Sequence, residues 1–134
     1  MTKEEIVQYW TSLSDYDMVT AEAILTAKRY LYVGFMCHLV VEKIFKAGYV
    51  KLQEGTPPFS HDLEYIAQKG DFYKMLSKKQ QDFISELNPL NIITRYSEYK
   101  GEIAKRLTPA KCAKLLEQTK KIQQWMKMTI LSIK

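Results

Sequence analysis

Apolar residues recur every three or four positions along most of the chain, a spacing that places them on one face of an α-helix. In the first segment this repeat runs over residues 6–27, just after Thr2-x-x-Glu5. A threonine followed three residues later by a glutamate matches the capping box that starts a helix. The pattern therefore predicts a helix from about Lys3 to about Lys28, whose buried face carries one carboxylate, Asp17.

The second segment, from about Leu31 to Lys51, is apolar on nearly every side as far as Val41 and amphipathic after Glu42. Such a helix needs neighbours on several sides, so the pattern predicts a central helix. Gly34 within it would destabilise an exposed helix by about 1 kcal/mol relative to alanine, and we interpret it as a point of close approach. We also expect a homodimer, because the four or five helices of one chain surround such a helix only in part.

Turn and cap residues divide the rest of the chain. The paired prolines of residues 54–58 end the central helix. Ser60 is expected to cap a short helix from His61 to about Lys69, which Gly70 ends. Ser77-x-x-Gln80 is a second capping box and opens a helix to about Leu87, before Asn88-Pro89 interrupts it.

Thr108-Pro109 marks the start of a last helix, which we expect to continue to the end of the chain. No alternating strand pattern extends beyond a few residues. The sequence therefore predicts one all-α domain over residues 1–134, an up-and-down bundle of four to five helices.

The composition, with 46% apolar residues, five Gly and four Pro in 134 residues, is typical of a globular domain and excludes disordered and collagen-like chains. The longest uncharged run, residues 30–41, has 12 residues, whereas a membrane-spanning helix needs about 20. Charges at positions 3–5 are not compatible with a secretory signal, so we expect a cytoplasmic protein with no membrane contact. Cys37 and Cys112 have no metal-type spacing and are interpreted as reduced packing residues.

Positive charge is concentrated at the C-terminal end of the chain. Residues 105–134 contain eight Lys and Arg against one Glu, whereas residues 1–28 contain two Lys against five acidic residues. Three interpretations stay open for the basic end: it could face phosphates, dock on the acidic first segment of this or another chain, or form a solvated helix face.

The first candidate functional group lies on the central helix. His38, Glu42 and Lys46 follow one another at i, i+4 spacing and share a face, with Lys43 beside them. Glu42 could orient His38 as a general base or pair with Lys46, or the row could be a polar seam between helices. The sequence has no Gly-rich phosphate loop, HExxH, GxSxG or CxxC motif, so no metal or cofactor is expected.

The second candidate group lies in residues 94–99, Thr-Arg-Tyr-Ser-Glu-Tyr. Arg95 could fork onto a phosphate or a carboxylate, and Tyr96 or Tyr99 could stack on a base. Alternatively, Arg95 is a buried structural residue paired with an acid such as Glu42, and the tyrosines form an amphipathic wall.

These motifs together resemble the HEPN domain family over almost the whole chain. Residues 10–23 are similar to the family's first helix, and residues 35–47 (FMCHLVVEKIFKA) are similar to its second helix with an EK-x-x-KA core. The PPFSHDL segment at 57–63 resembles the family's proline-then-His-Asp-Leu segment. The NIITRYS segment at 91–97 resembles its segment ending in Arg-Tyr-Pro, with Ser97 in place of the proline.

The resemblance implies a helical homodimer that binds a nucleotide or RNA, pairs with a minimal nucleotidyltransferase, or does both. A catalytic subset of the family are metal-independent endoribonucleases that use an Arg and a His with four to six residues between them. Here Arg95 is the matching Arg, but positions 100–102 are Lys, Gly and Glu. We therefore expect no catalysis, since the general base is missing.

Two alternatives stay open beside this non-catalytic binding role. The chain could be an endoribonuclease in which His38 or His61 supplies the base from another element, or an interaction module whose polar residues only hold the bundle together. The candidate ligand-binding residues are Arg95, Tyr96, Tyr99, His38, Glu42, Lys43, Lys46, His61 and Asp62.

Overall fold

The computed structural model describes residues 1–91, 101–102 and 105–134. Within these ranges it contains no strand, and none of its helices is long and apolar enough to cross a bilayer. The all-α prediction is confirmed. Five α-helices lie wholly within the described residues: α1 (Lys3–Thr26), α2 (Tyr30–Leu52), α3 (Leu63–Lys69), α4 (Lys78–Leu87) and α5 (Pro109–Trp125). The described residues also form 3-10 turns at Tyr73–Met75 and Asn88–Asn91 and a π-helical turn at Met126–Ile130.

The two long helices α1 and α2 form an antiparallel hairpin, because only residues 27–29 connect them. Lys28 makes the reversal with a left-handed φ of 62°. Midway along the hairpin the Ser14 hydroxyl donates to the Val40 carbonyl at 2.8 Å. This bond satisfies a buried hydroxyl and fixes the two helices relative to each other.

The helix starts follow the predicted capping residues at Thr2, Ser77 and Thr108. The start of α3 was predicted wrongly, because Asp62 rather than Ser60 is its cap. Asp62 Oδ1 accepts the Tyr65 amide at 3.2 Å, while Ser60 Oγ accepts the Asp62 amide at 3.0 Å. Serine and aspartate cap helices equally well, so α3 begins two residues later than predicted.

The last helix also differs from its prediction. α5 ends at Trp125, and the π-helical turn that follows ends at Ile130, four residues before the end of the chain. The apolar repeat continues through this turn, and Met126 and Ile130 are fully buried. The periodic pattern therefore predicted the burial correctly but not the change in helix type.

The central position of α2 is confirmed, since α1, α3, α4 and α5 all contact it. Phe45 of α2 packs edge-to-face on Phe72, with ring centroids 5.1 Å apart. A Cβ on Gly34 would lie 2.7 Å from Leu90 Cδ1, so Gly34 permits the predicted close approach. The chain itself supplies the neighbours that the apolar surface of α2 needs, and the homodimer stays a prediction.

Part of the basic C-terminal end docks on the acidic first segment of the same chain. Lys127 Nζ lies 2.6 Å from Asp15 Oδ1, and Lys120 Nζ lies 3.5 Å from Glu22 Oε2. For these two lysines, the docking interpretation is confirmed.

Candidate functional site

Glu42 is the centre of a buried polar cluster on α2. Its side chain is 6% exposed, and Oε2 accepts a hydrogen bond from Lys46 Nζ at 3.0 Å. The other oxygen, Oε1, lies 2.9 Å from His61 Nδ1. Lys46 is one turn further along α2, as the i, i+4 spacing predicts, whereas His61 belongs to the segment before α3. Of the alternatives for Glu42, the pair with Lys46 is observed, and the carboxylate joins α2 to the start of α3 through His61.

His38, one turn before Glu42, is fully buried. Its Nδ1 lies 3.7 Å from Glu42 Oε1, too far for a hydrogen bond, and neither ring nitrogen has a hydrogen-bond partner among the described residues. Burial lowers the pKa of His38, and the nearby Glu42 carboxylate opposes this effect only in part. His38 is therefore neutral at pH 7, and Glu42 orients His61 rather than His38.

His61 is the member of the cluster that faces solvent. Its side chain is 52% exposed while Nδ1 contacts the buried Glu42 carboxylate. An ionised carboxylate only accepts hydrogen bonds, so Nδ1 carries the proton and Nε2 is the nitrogen available to a ligand. A histidine held in this way can accept a hydrogen bond at Nε2 when it is neutral and donate one when it is protonated.

Asp62 and Asn88 form a second polar link beside His61. Asn88 Nδ2 donates to Asp62 Oδ1 at 2.8 Å, and Asn88 Oδ1 accepts the Leu63 amide at 2.9 Å. These bonds hold the start of α3 against the end of α4. An open cleft of about 290 Å³ lies over this link and is lined by His61, Asp62, Asn88, Pro89 and Asn91.

Lys46, the other cation bound to Glu42, lines a different depression. Its Nζ lies 5.5 Å from the ring centroid of Trp10 on α1, within the range of a cation–π contact. A groove of about 480 Å³ lies here between α1, α2 and the Pro57-Pro58-Phe59 loop. Each oxygen of Glu42 is thus connected to one surface depression, through His61 on one side and Lys46 on the other.

Lys43 is a described site residue that does not join this cluster. Lys43 pairs with Asp17 of α1, which explains the single carboxylate on the buried face of that helix. Arg95, Tyr96 and Tyr99 lie outside the described residues. No three or more His, Cys, Asp or Glu side chains in the described part of the chain lie close enough together to hold a metal ion.

Sequence reasoning missed three features of this site: the Glu42–His61 contact, the role of Asn88 and the position of Trp10. Asn88 is part of a predicted helix break, and its bonds to Leu63 and Asp62 span 25 and 26 residues, so no local pattern indicates them. Trp10 was assigned to the buried face of α1, and it does pack against the core as a partly buried residue. Nothing in the sequence places it beside Lys46.

The described helices and the buried Glu42 cluster define an all-α helical-bundle domain. Comparison with protein families gives a match to the HEPN domain over residues 7–129. The chain therefore belongs to the HEPN family, as its motifs indicate. Comparisons with curated proteins and with solved structures gave no significant match.

Proposed function

We propose that this protein is a cytoplasmic HEPN homodimer that binds a nucleotide or RNA and acts with a minimal nucleotidyltransferase, without catalysis of its own. The observation that supports it best is the half-exposed His61, whose orientation is fixed by a buried carboxylate. Its Nδ1 is bound to Glu42 at 2.9 Å, and the ring borders a cleft with two asparagines. Amide and imidazole groups of this kind form the few directed hydrogen bonds that fix a ligand in a binding site.

Each part of such a ligand has a matching group. Arg95 offers two parallel donors to a phosphate, a geometry that lysine cannot reproduce. Tyr96 and Tyr99 offer faces for a base. Asn91 in the cleft offers its amide to ribose hydroxyls or base edges.

Chain connectivity keeps these groups near one another. Asn91 lines the cleft, and Arg95 follows it by four residues. Four residues of extended chain span at most about 14 Å. Arg95 and the cleft can therefore contact the same nucleotide.

The proposal is tested by titrating the protein with ATP and with a short single-stranded RNA, beside thermal melts. Arg95→Lys should weaken binding by about tenfold or more, the value of one charge-assisted hydrogen bond, and should leave the melting temperature unchanged. Arg29→Lys, an exposed arginine just after α1, is the matched control and should bind like the parent. Failure of the parent to bind either probe at millimolar concentration would refute the ligand proposal, and a lower melting temperature for Arg95→Lys would indicate a structural arginine.

The His61–Glu42 contact favours one second candidate, an endoribonuclease with a relocated base. An imidazole whose Nδ1 is bound to a buried carboxylate has the arrangement of a general base, with Nε2 directed to the substrate. This function predicts metal-independent RNA cleavage that is lost in both Arg95→Lys and His61→Gln. Such cleavage would overturn the choice of binding over catalysis.

The partner part of the proposal is tested separately. The neighbouring genes are inspected for a minimal nucleotidyltransferase, and the two proteins are then co-expressed with a tag on one of them. Co-purification at a fixed ratio would support the pairing. Two proteins that elute separately would contradict it and leave the nucleotide-binding result untouched.

A further inference from the structure

A strip of uncharged side chains runs along the outer face of α1, on the side away from α2. Tyr9, Tyr16 and Val19 are 52%, 73% and 68% exposed, and Ala23 and Ala27 are exposed as well. These positions follow one another at spacings of seven, three, four and four residues, which is the seam pattern of two packed helices. A shallow groove of about 540 Å³ lies over the C-terminal half of the strip, between Tyr16 and Ala27.

The length of the strip is an argument that it is an interaction surface. The strip runs from Tyr9 to Ala27, which corresponds to about 27 Å at 1.5 Å per residue. Single exposed apolar residues are ordinary, but a continuous apolar face marks a contact with another molecule. The large Tyr9 lies at one end of the strip and the small Ala23 and Ala27 at the other, with Tyr16 between them. A partner helix of the same kind packs large side chains on small ones only when it runs antiparallel.

The charges at the two ends of α1 also favour an antiparallel partner helix. The first turn of α1 is acidic, with Glu4 and Glu5, and the helix is followed by Lys28 and Arg29. Glu4, Lys28 and Arg29 have no ion-pair partner among the described residues. An antiparallel copy of α1 would place its acidic end against this basic end, whereas a parallel copy would place like charges together.

We propose that the occupant of the strip is α1 of a second copy of the chain, antiparallel to the first across a two-fold axis that passes near Tyr16. This inference rests on the homodimer part of the proposed function and names its interface. Tyr9 then lies over the partner's Ala23, in the groove between Tyr16 and Ala27 of that copy, and Tyr16 meets its own copy at the axis. Such a contact is isologous, since the same surface serves both subunits.

The size of the surface sets the expected strength of association. A strip about 27 Å long and about 10 Å wide has a footprint on the order of 270 Å² for each protomer, below the roughly 800 Å² for each partner of a standard stable interface. We therefore expect a reversible dimer that forms at tens to hundreds of micromolar, and the experiment must cover that range.

Sedimentation equilibrium of the parent and of Tyr16→Glu, up to about 500 µM, tests the interface. Two carboxylates facing each other at the two-fold axis should raise the dimer dissociation constant by about 30-fold or more, the effect of losing one central contact residue. Tyr16 is 73% exposed, so the variant should melt like the parent.

A cysteine cross-link tests the register and is independent of affinity. Tyr16→Cys should form an intermolecular disulfide under mild oxidation, because a residue on the two-fold axis meets its own copy. The matched control is Lys79→Cys on exposed α4, which should stay monomeric. The native Cys37 and Cys112 are buried and do not contribute.

The outcomes separate this inference from the function on which it rests. A parent dimer that Tyr16→Glu leaves intact, with no Tyr16→Cys cross-link, overturns the interface but keeps the homodimer. A parent that is monomeric at 500 µM overturns both, while the nucleotide titration stands by itself. A monomeric parent whose binding to a nucleotidyltransferase is lost in Tyr16→Glu would assign the strip to that partner and overturn the second copy.

Discussion

Replacing Glu42 with alanine removes the carboxylate that binds Lys46 and His61 in the buried cluster and leaves Lys46 without this partner. Lys46 is 7% exposed and its Nζ lies 3.0 Å from Glu42 Oε2. A buried ammonium that loses its carboxylate keeps the full penalty of leaving water. Breaking a buried pair in this way typically destabilises a protein by roughly 3–5 kcal/mol.

The expected change in melting temperature follows from the size of the chain. Unfolding entropy of about 2.1 cal/mol/K per residue gives about 0.28 kcal/mol/K for 134 residues. A loss of roughly 3–5 kcal/mol then lowers the melting temperature by roughly 11–18 °C. Half-exposed His61 adds little to this value, because it can turn to water when the carboxylate is gone.

The assay is thermal unfolding followed by circular dichroism, with Glu117→Ala as the matched control. Glu117 also precedes a lysine, Lys121, by four residues at 3.1 Å, but the two side chains are 67% and 71% exposed. Exposed pairs of this kind contribute about 0.3–0.5 kcal/mol, so Glu117→Ala should lower the melting temperature by less than about 2 °C. The two variants differ in burial and not in spacing.

A double variant separates the charge effect from the loss of packing. Glu42→Leu combined with Lys46→Met replaces the pair by apolar groups of similar volume and should recover most of the lost stability, because no charge is left buried and unpaired. The reasoning is refuted if Glu42→Ala melts within about 2 °C of Glu117→Ala. It is also refuted if the double variant is less stable than Glu42→Ala.

Two further predictions follow from buried groups. His38→Leu should melt at or above the parent at pH 7, since both ring nitrogens lack partners in the described structure. Burial lowers the pKa of folded His38 below its unfolded value of about 6.5, so the unfolded state binds more protons and the free energy of unfolding decreases below about pH 6.5. Between pH 7.5 and 5.5 the melting temperature should therefore fall less in His38→Leu than in the parent. An equal fall in both proteins would contradict the assignment. Burial raises the pKa of Cys37 to about 11 and also raises the pKa of Cys112, so neither thiol should react with a disulfide reagent at pH 8 until denaturant is added, and fast reaction of either would contradict their burial.

Local rules predicted most of the fold because most helix limits are set by residues within one turn. The side chains of Thr2, Ser77 and Thr108 each accept a hydrogen bond from the backbone amide three residues later. Both partners are therefore visible in the local sequence. The start of α3 failed because Ser60 and Asp62 are both competent caps two residues apart. Only the link from Asp62 to Asn88, 26 residues away, distinguishes them.

The candidate site could be predicted only along one helix. The pair of Glu42 with Lys46 is local, so spacing alone identified it. The contact of Glu42 with His61 spans 19 residues and two elements, and its existence depends on how the Pro57-Pro58 segment directs the chain back to α2. Sequence reasoning named both residues as candidates but had no physical basis for joining them.

The burial of each cluster residue determines whether its substitution can change ligand binding without changing the melting temperature. Glu42 holds two elements together, so a binding defect in a Glu42 variant is inseparable from a loss of folding free energy. Lys46 has the same difficulty, since it is as buried as its partner. His61 is different, because its ring is 52% exposed and Glu42 keeps Lys46 when the imidazole is removed. Among the described cluster residues, His61 is therefore the position where a change in ligand binding at constant melting temperature has a direct functional meaning.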